Sequence, residues 1–419
     1  MEFNEVLKAL EISDIHESWS RNWETSQASY HNNSVYFLED DFIDEANEIL
    51  RLPDDAVEAL HHAAAVVRNR EELSRLAWHG RYILFSSSGQ EQTDIWTNWP
   101  SMESSMGKAS GMFAALVFIS ELPAVQKFYN EKGISHEVLI DTFNDVGIWM
   151  RDYYEAHGVW GMDELCWLIW HFTFGIYRLG RLQFMTGAFG GMVKVFRNKK
   201  SGKVVTLTEG GVRFRKDGRV DGNKSIVDYD TAWISEMEEK DGFITGNFIF
   251  PDGTVSRKME SLSLKEWEVV LSNGDPVLHI HIPRGSRMSY ELCHESLKMA
   301  AGFFQKFFPD KPFCGFALNT WFLDAQLQNL LPETSNLVKF QKEFYIYRDV
   351  ENDGLLRRFV FKGCELNSPA APRESSLQNA ILDHVAAGNH MYTCSGFILK
   401  EDMDKWGTGF YQKASGQLA

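Results

Sequence analysis

The chain has 419 residues, long enough for two or three domains, and its 58 acidic against 42 basic side chains give a formal net charge of −16. This balance argues against a nucleic-acid partner, because phosphate backbones are bound by clustered Lys and Arg. The five cysteines are widely spaced with no CxxC pair, no secretory signal opens the chain, and no apolar run of about 18 residues predicts a membrane helix. We therefore expect a cytoplasmic protein with no membrane partner.

Residues 1–134 predict a mostly helical domain, because apolar side chains recur there at helical spacing. Pro53 followed by Asp54 and Asp55 is typical of a helix N-terminus. Ser135 predicts the cap of another helix that ends near residue 156.

The sequence changes character after residue 187. Short alternating stretches are separated by Lys-Asp-Gly, Val-Asp-Gly and Pro-Asp-Gly, which are hairpin turn signals. This pattern predicts an antiparallel β-hairpin region over residues 187–262. Ser263 with Glu266 three residues later is a capping-box pattern, and it predicts a helix that ends near residue 272.

The most informative segment runs from residue 277 to 344. It predicts a strand over 277–282, a loop, a helix capped by Ser289, a second strand over 313–318 and a short helix over 324–331. Strand, helix and strand form a crossover unit, so the two strands should lie side by side and parallel. Gly285 and two arginines in a turn before a helix N-terminus predict a site for a phosphate group.

The remainder predicts two strands over residues 339–348 and 355–361, a helix over 375–387 and a last strand over 392–399.

Six short motifs occur in one order along the chain: RLGRLQF at 178–184, HIHIPRG at 279–285, ES-x4-A-GFF-x3-FP at 295–309, TWFLD-x-QL-x2-LLP at 320–332, SN-x3-F at 335–340 and SSLQNAI at 375–381. The set resembles the core of the GNAT acyltransferase superfamily. More closely, it resembles a bacterial two-domain family with a helical N-acyltransferase N-terminal domain and a GNAT-like C-terminal domain. The resemblance implies an α+β protein whose helical domain spans 1–134 and whose GNAT-like mixed α/β domain spans 135–419, with 187–262 as the added hairpin region.

The resemblance also implies acyl-CoA as co-substrate. In the superfamily, pantetheine lies where the two core strands separate, and the diphosphate rests on the following loop. Carried over to this chain, the cofactor-binding residues are Ile280, Ile282, Arg284, Gly285, Ser286, Arg287 and Ser289. The loop departs from the superfamily pattern (Gln/Arg)-x-x-Gly-x-(Gly/Ala), because the bulkier Ser286 and Arg287 follow Gly285.

His279 and His281 alternate on the first core strand and therefore share one face of the sheet. A neutral imidazole there can accept the proton of an attacking amine. Hydrogen-bonded packing is the alternative, and a His-x-His metal site is a third reading, although His294, His384 and His390 show no spacing that would complete it. We expect no metal.

Two further residues are candidates through the resemblance. Asn319 lies at the end of the second core strand, where superfamily active sites open. The leaving thiolate needs an acid, and the short helix at 324–331 contains no tyrosine, so Tyr345, with Tyr347 as the alternative, is a candidate by position only; a structural role for either is the other reading. The expected reaction moves an acyl group to a small-molecule acceptor, and we expect this acceptor to be an amine. A non-catalytic acyl-CoA-binding module with a partner-binding helical domain and a metal-dependent hydrolase remain alternatives, and the oligomeric state is not readable from the sequence.

Overall fold

The computed structural model describes residues 1–30, 35–222, 226–285, 288–348 and 353–413. They form two compact units, one of Met1–Leu179 with Pro283–Gly285 and one of Gly180–Ile282 with Ser286–Ala419. The expected class, a helical N-terminal region followed by a mixed α/β domain, is confirmed.

The first unit is helical. Its helices are α1 (Phe3–Ala9), α2 (Trp23–Ala28), α3 (Asp40–Leu50), α4 (Asp54–Arg68), α5 (Glu71–Ser86), α6 (Gly89–Thr97), α7 (Glu103–Met106), α8 (Met112–Ile119), α9 (Leu122–Lys132), α10 (His136–His157) and α11 (Leu165–Phe172), and it ends with β1 (Ile176–Leu179). The predicted cap of α10 is confirmed, since the Ser135 hydroxyl accepts a hydrogen bond from the Val138 amide.

Helix α10 explains why this unit extends past residue 134. Its buried side chains include Leu139, Phe143, Val146 and Met150, which recur at helical spacing along one face. That face packs with α3, α9 and α11 of the same unit. The observed units therefore divide at Leu179 rather than before α10.

One stretch among the described residues, Met112–Lys132, has the length and composition of a membrane span, and 67% of its most apolar window is buried inside the protein. The stretch is divided into α8 and α9. Every residue of α8 is buried. We interpret the pair as core helices, because a buried helix can be apolar all round.

Asp145 anchors α11 to α10 within this unit. Its carboxylate is buried and accepts a hydrogen bond of 2.7 Å from the Trp167 indole. His171 Nε2 lies 3.3 Å from the same oxygen, at ion-pair distance but without hydrogen-bond alignment. One carboxylate thus faces two polar side chains of α11.

We expect Asp145→Leu to lower the free energy of unfolding by about 2–4 kcal/mol, because the Trp167 indole loses its buried acceptor and His171 loses the carboxylate beside it. The same substitution at the exposed Asp141 of α10 should change it by less than about 0.5 kcal/mol. Denaturant unfolding measures both. Equal effects at the two positions would contradict the anchoring role.

The second unit contains the sheets. Its strands are β2 (Leu182–Ala188), β3 (Val193–Asn198), β4 (Val204–Thr208), β5 (Arg213–Phe214), β6 (Trp233–Ile234), β7 (Met237–Lys240), β8 (Phe243–Ile249), β9 (Val255–Ser263), β10 (Trp267–Leu271), β11 (Pro276–His281), β12 (Gly315–Thr320), β13 (Tyr345–Arg348) and β14 (Cys394–Leu399). Its helices are α12 (Tyr290–Phe307), α13 (Leu327–Leu330), α14 (Asn336–Gln341), α15 (Gly354–Val360), α16 (Ser376–Ala386) and α17 (Phe410–Lys413).

The central sheet of this unit has the strand order β2-β11-β12-β14-β13. Strands β11 and β12 are parallel, as the crossover pattern predicts, and the other neighbours are antiparallel. The second sheet has the order β10-β3-β4-β8-β7, with β9 also paired to β8, and all of its pairs are antiparallel. This confirms the predicted hairpin region.

The two sheets share one hydrophobic core. Val193 and Val195 of the second sheet are buried together with Val277, Ala317 and Phe397 of the central sheet. The side chains of β11 and β12 that face the second sheet are therefore the odd-numbered ones, as the alternation of a strand requires.

The predicted secondary structure differs from the observed one in two parts of the chain. The helix expected over residues 263–272 is wrong: β9 ends at Ser263, a turn closes with the Glu266 amide bonded to the Ser263 carbonyl, and β10 follows. The capping-box spacing also suits this turn, and pairing of β10 with β3 satisfies the backbone.

The strands expected over residues 339–348 and 355–361 are only partly correct. Strand β13 is present, but α14 precedes it and α15 replaces the second strand. Leu356 and Phe361 pack into a core cluster with Leu327 and Ile381. Tertiary burial of that face thus favours helix over strand.

Candidate active site

The opening of the central sheet lies between β11 and β12. Their pairing ends at His279 opposite Ala317, although both strands continue beyond that point. The later residues of β11 stay paired with β2 and those of β12 stay paired with β14. These pairs are Ile280–Phe184 and His281–Gln183 on one side, and Leu318–Gly396, Asn319–Ser395 and Thr320–Cys394 on the other. The two strands therefore separate at their carboxyl ends.

Helix α12 begins at this same edge, because it follows β11 along the chain. The Ser289 hydroxyl accepts a hydrogen bond from the Leu292 amide and so caps the helix, as predicted. The helix has 18 residues, long enough to present a dipole whose positive end favours an anion.

His281 and Asn319 lie at the same level on either side of the opening. His279 of β11 is opposite Ala317 of β12 in the parallel register. The next residue on the same face is His281 in β11 and Asn319 in β12. His279 precedes His281 on that face. The structure thus brings three of the four predicted catalytic residues to one face of the opening.

His279 is fixed by the neighbouring strand. Its Nε2 donates a hydrogen bond of 3.0 Å to the Ala188 carbonyl oxygen of β2. The imidazole lies over Gly187, where an added Cβ would come within 2.7 Å of His279 Cδ2. A residue without a side chain is required there, so Gly187 makes room for the ring.

Asn319 has an exposed side chain that is oriented by β14. Its Nδ2 donates a hydrogen bond of 3.0 Å to Ser395 Oγ, directly opposite in the sheet. This contact fixes the amide nitrogen toward β14, on the side of β12 away from β11.

Tyr345 lies away from the opening. Its side chain is fully buried, stacks on Phe397 at 5.3 Å between ring centroids, and its hydroxyl donates a hydrogen bond to the Ile249 carbonyl of the second sheet. Burial raises the pKa of this hydroxyl far above its usual value. The structure gives Tyr345 a core position rather than one at the carboxyl ends of β11 and β12.

The predicted cofactor-binding residues occupy different environments. Ile280 is buried and Ile282 is half-buried at the end of β11. Arg284 forms an ion pair with Asp152 of α10, within the first unit. Gly285 has a φ of +114°, in a region that other residues rarely adopt, and Ser286 and Arg287 lie outside the described residues.

The TWFLD-x-Q motif has a structural explanation. Asp324 is fully buried, and its carboxylate accepts hydrogen bonds from the Tyr392 amide and from Gln326. Gln341 Nε2 donates to the Asp324 carbonyl oxygen. These residues hold the segment after β12 in place and need no part in chemistry.

Sequence reasoning did not identify Gln183, although it lies within the RLGRLQF motif. It is directly opposite His281, its side chain is fully buried, and neither Oε1 nor Nε2 has a hydrogen-bond partner. A glutamine among apolar strand residues was the only signal in the sequence.

The third reading of the histidines, a metal site, gains no support from the part of the chain that the structure describes, which holds no group of three His, Cys, Asp or Glu able to bind a metal ion. His294 stacks on Trp406 at 5.1 Å, and His384 Nε2 lies 3.3 Å from Gln326 Oε1.

We expect Gly187→Ala to displace the His279 ring and to lower the free energy of unfolding by about 1–3 kcal/mol, because the added methyl group overlaps the imidazole. Gly190→Ala is the matched control, since an added Cβ meets nothing within 4 Å there. Denaturant unfolding and the His279 ring signals in NMR spectra test the pair. Unchanged His279 signals in Gly187→Ala would contradict the packing described above.

Comparisons with known proteins agree with this architecture. A family model described as a GNAT-like C-terminal domain matches residues 176–398, and one described as an N-acyltransferase N-terminal domain matches residues 41–174. No match was found among curated proteins.

Solved structures with the same fold include an acyltransferase in complex with decanoyl-CoA and teicoplanin, at 22% sequence identity and a TM-score of 0.63. An acyltransferase mutant in complex with octanoyl-CoA is similar at 21% identity and the same TM-score. Each similarity covers 95% of this chain and 99% of the other. The C-terminal match alone spans more than half of the chain, and the chain therefore belongs to the acyltransferase family in which an N-acyltransferase N-terminal domain precedes a GNAT-like C-terminal domain.

Proposed function

We propose that the protein transfers the acyl group of an acyl-CoA to an amine on a small-molecule acceptor, at the opening between β11 and β12. The observation that carries this proposal is the end of β11–β12 pairing after His279 and Ala317, while each strand keeps its outer neighbour. A narrow chain such as pantetheine can lie between two strands that separate in this way.

The diphosphate of the donor is proposed to rest at the N-terminus of α12, where the helix dipole favours negative charge. Ser289 caps that end. Arg284 and Gly285, together with Ser286 and Arg287, remain the proposed contacts of the diphosphate. Arg284 is already paired with Asp152. A phosphate must therefore displace Asp152 from the guanidinium or bind the guanidinium beside it.

The proposed reaction is direct transfer. The amine nitrogen attacks the thioester carbonyl carbon, the carbon–sulfur bond breaks, and the nitrogen loses one proton that finally resides on the CoA sulfur. His281 takes this proton as general base and can return it to the thiolate. Backbone N–H groups of the separated strand stabilise the charge that develops on the carbonyl oxygen.

Asn319 is proposed to orient the amine. Its Nδ2 is directed to Ser395, so Oδ1 is the atom suited to accept an N–H of the nucleophile. His281 and Asn319 then act from opposite sides of the opening, one on the proton and one on the position of the nitrogen.

Free thiol release from acyl-CoA tests the proposal. Octanoyl-CoA and decanoyl-CoA are suitable donors and teicoplanin is a suitable acceptor, because similar structures hold these compounds. A panel of simple amines provides further acceptors. Thiol release that depends on an amine supports the proposal. Thermal stabilisation by CoA without turnover for any acceptor would instead favour an acyl-CoA-binding module.

His281→Gln should lower kcat by about 10²–10⁴-fold, because a general base contributes that much, and should leave the KM for acyl-CoA nearly unchanged. His279→Gln is the matched control on the same face, and it should cost less because His279 is committed to Ala188. Steady-state kinetics separate the two. If His279→Gln lowers kcat more than His281→Gln does, His279 is the general base instead of His281.

Tyr345→Phe should keep kcat within about twofold, whereas loss of a general acid would cost about 10²-fold or more. It should lower the free energy of unfolding by about 1–3 kcal/mol, because the buried Ile249 carbonyl loses its donor. Kinetics and denaturant unfolding of the same preparation distinguish a core tyrosine from a catalytic one.

The compartment proposed from the sequence is the cytoplasm. None of the five cysteines forms a disulfide in the structure, which is compatible with a reducing environment.

A further inference from the structure

Gln183 carries an unsatisfied carboxamide inside the second unit. It is 0% exposed, and both its Oε1 and its Nε2 are buried without a hydrogen-bond partner. Native proteins pair nearly all buried polar side chains, and an apolar side chain of similar shape would fill this position without that cost. We therefore expect the Gln183 carboxamide to gain a hydrogen-bond partner in another state of the site.

The sheet register identifies that partner. Gln183 is directly opposite His281 in the antiparallel β2–β11 pair, so both side chains leave the same face at a Cβ separation of about 4.5–5.5 Å. Met185, the next residue of β2 on that face, is apolar. The imidazole of His281 is thus the nearest titratable ring along the ladder.

The acyl transfer changes what that ring can offer. A neutral imidazole has one N–H donor, whereas the imidazolium formed on taking the amine proton has two. One of the two faces the amine, and a carboxamide oxygen beside the ring can accept from the other. A hydrogen bond from a charged group is stronger than one from a neutral group.

We propose that Gln183 is a positioning residue that accepts, through Oε1, the N–H on the His281 nitrogen that faces away from the amine, and so stabilises the imidazolium form of His281. This rests on the proposed function, in which His281 receives the proton of the acceptor amine on its other nitrogen. Gln183 acts through His281 and makes no contact with the reacting atoms. The hydrogen bond is stronger when the ring is charged, so the carboxamide favours the charged base.

Within the second unit, few titratable groups lie on the elements beside this pair. The paired strands β2 and β12 contain no titratable residue, and His279 is the other titratable group on β11. Arg181 lies in the turn before β2, where its amide donates to Ser296 Oγ, and Arg284 follows β11 and pairs with Asp152. These groups stay the same when Gln183 is replaced, so a change in the pKa of His281 reports on the carboxamide.

The test is an NMR titration of the full chain with labelled histidine, which does not require turnover. The signals of His281 among the 13 histidines are assigned by their absence in His281→Gln. In Gln183→Met, which keeps the volume and removes the acceptor, the pKa of His281 should fall by about 0.5–1 unit. The acidic limb of kcat/KM should move to lower pH by the same amount.

Two further variants make the result decisive. Gln183→Glu places an anionic acceptor at the same position and should raise the pKa of His281 by more than about one unit. Thr186→Val, on the opposite face of β2 and exposed, should leave that pKa unchanged.

A His281 pKa that is the same in Gln183→Met as in the unmodified protein overturns the proposal, whereas Gln183→Glu checks that position 183 is close enough to act on the ring. If Gln183→Met does not fold, Gln183→Leu removes the same acceptor and decides in its place. Absence of turnover with every amine tested would defeat the proposed function, and would leave the titration result to be judged separately.

Discussion

The second unit depends on the way backbone pairing is divided around β11 and β12. For three residues these strands pair with each other, and after His279 and Ala317 each pairs only with its outer antiparallel neighbour. A separation inside a sheet normally leaves polar backbone groups unpaired. Here the outer neighbours β2 and β14 hold the separated ends in extended form, so the sheet opens without losing its strands.

The second sheet supports this opening from one side. Buried side chains of both sheets form one cluster, and the Tyr345 hydroxyl joins β13 to the Ile249 carbonyl of β8. The core ends where His279, His281, Gln183 and Asn319 replace apolar residues on the same face. The change from packed apolar to polar side chains along one face places the candidate site at the carboxyl ends of β11 and β12.

Much of this arrangement was predictable from the sequence, because it rests on local signals. Apolar strands on either side of a long amphipathic segment predicted the parallel pair, and Ser135 and Ser289 predicted two helix caps that the structure confirms. The helix expected over residues 263–272 failed because Ser263 and Glu266 suit both a cap and a hairpin turn, and only the partner β3 decides between them.

The same limit applied to the site. His279 and His281 could be placed on one face from their spacing, but the contact with Ala188 that distinguishes them comes from β2, far away in the sequence. Tyr345 was a reasonable acid by position in the chain, and its burial against Phe397 depends on tertiary packing. For Gln183 the one local signal was a glutamine among apolar strand residues, and its importance comes from the residue opposite and from its unsatisfied side chain, which only the structure shows.

The contact between His279 and Ala188 also sets a direction. A carbonyl oxygen can only accept, so the proton must stay on Nε2 of His279, and the neutral ring offers Nδ1 as its lone pair. Any proton that reaches this ring enters through Nδ1 and cannot leave through Nε2 while the ring lies over Gly187. His279 is therefore held in one tautomer and cannot pass a proton on through Nε2 while this contact is present.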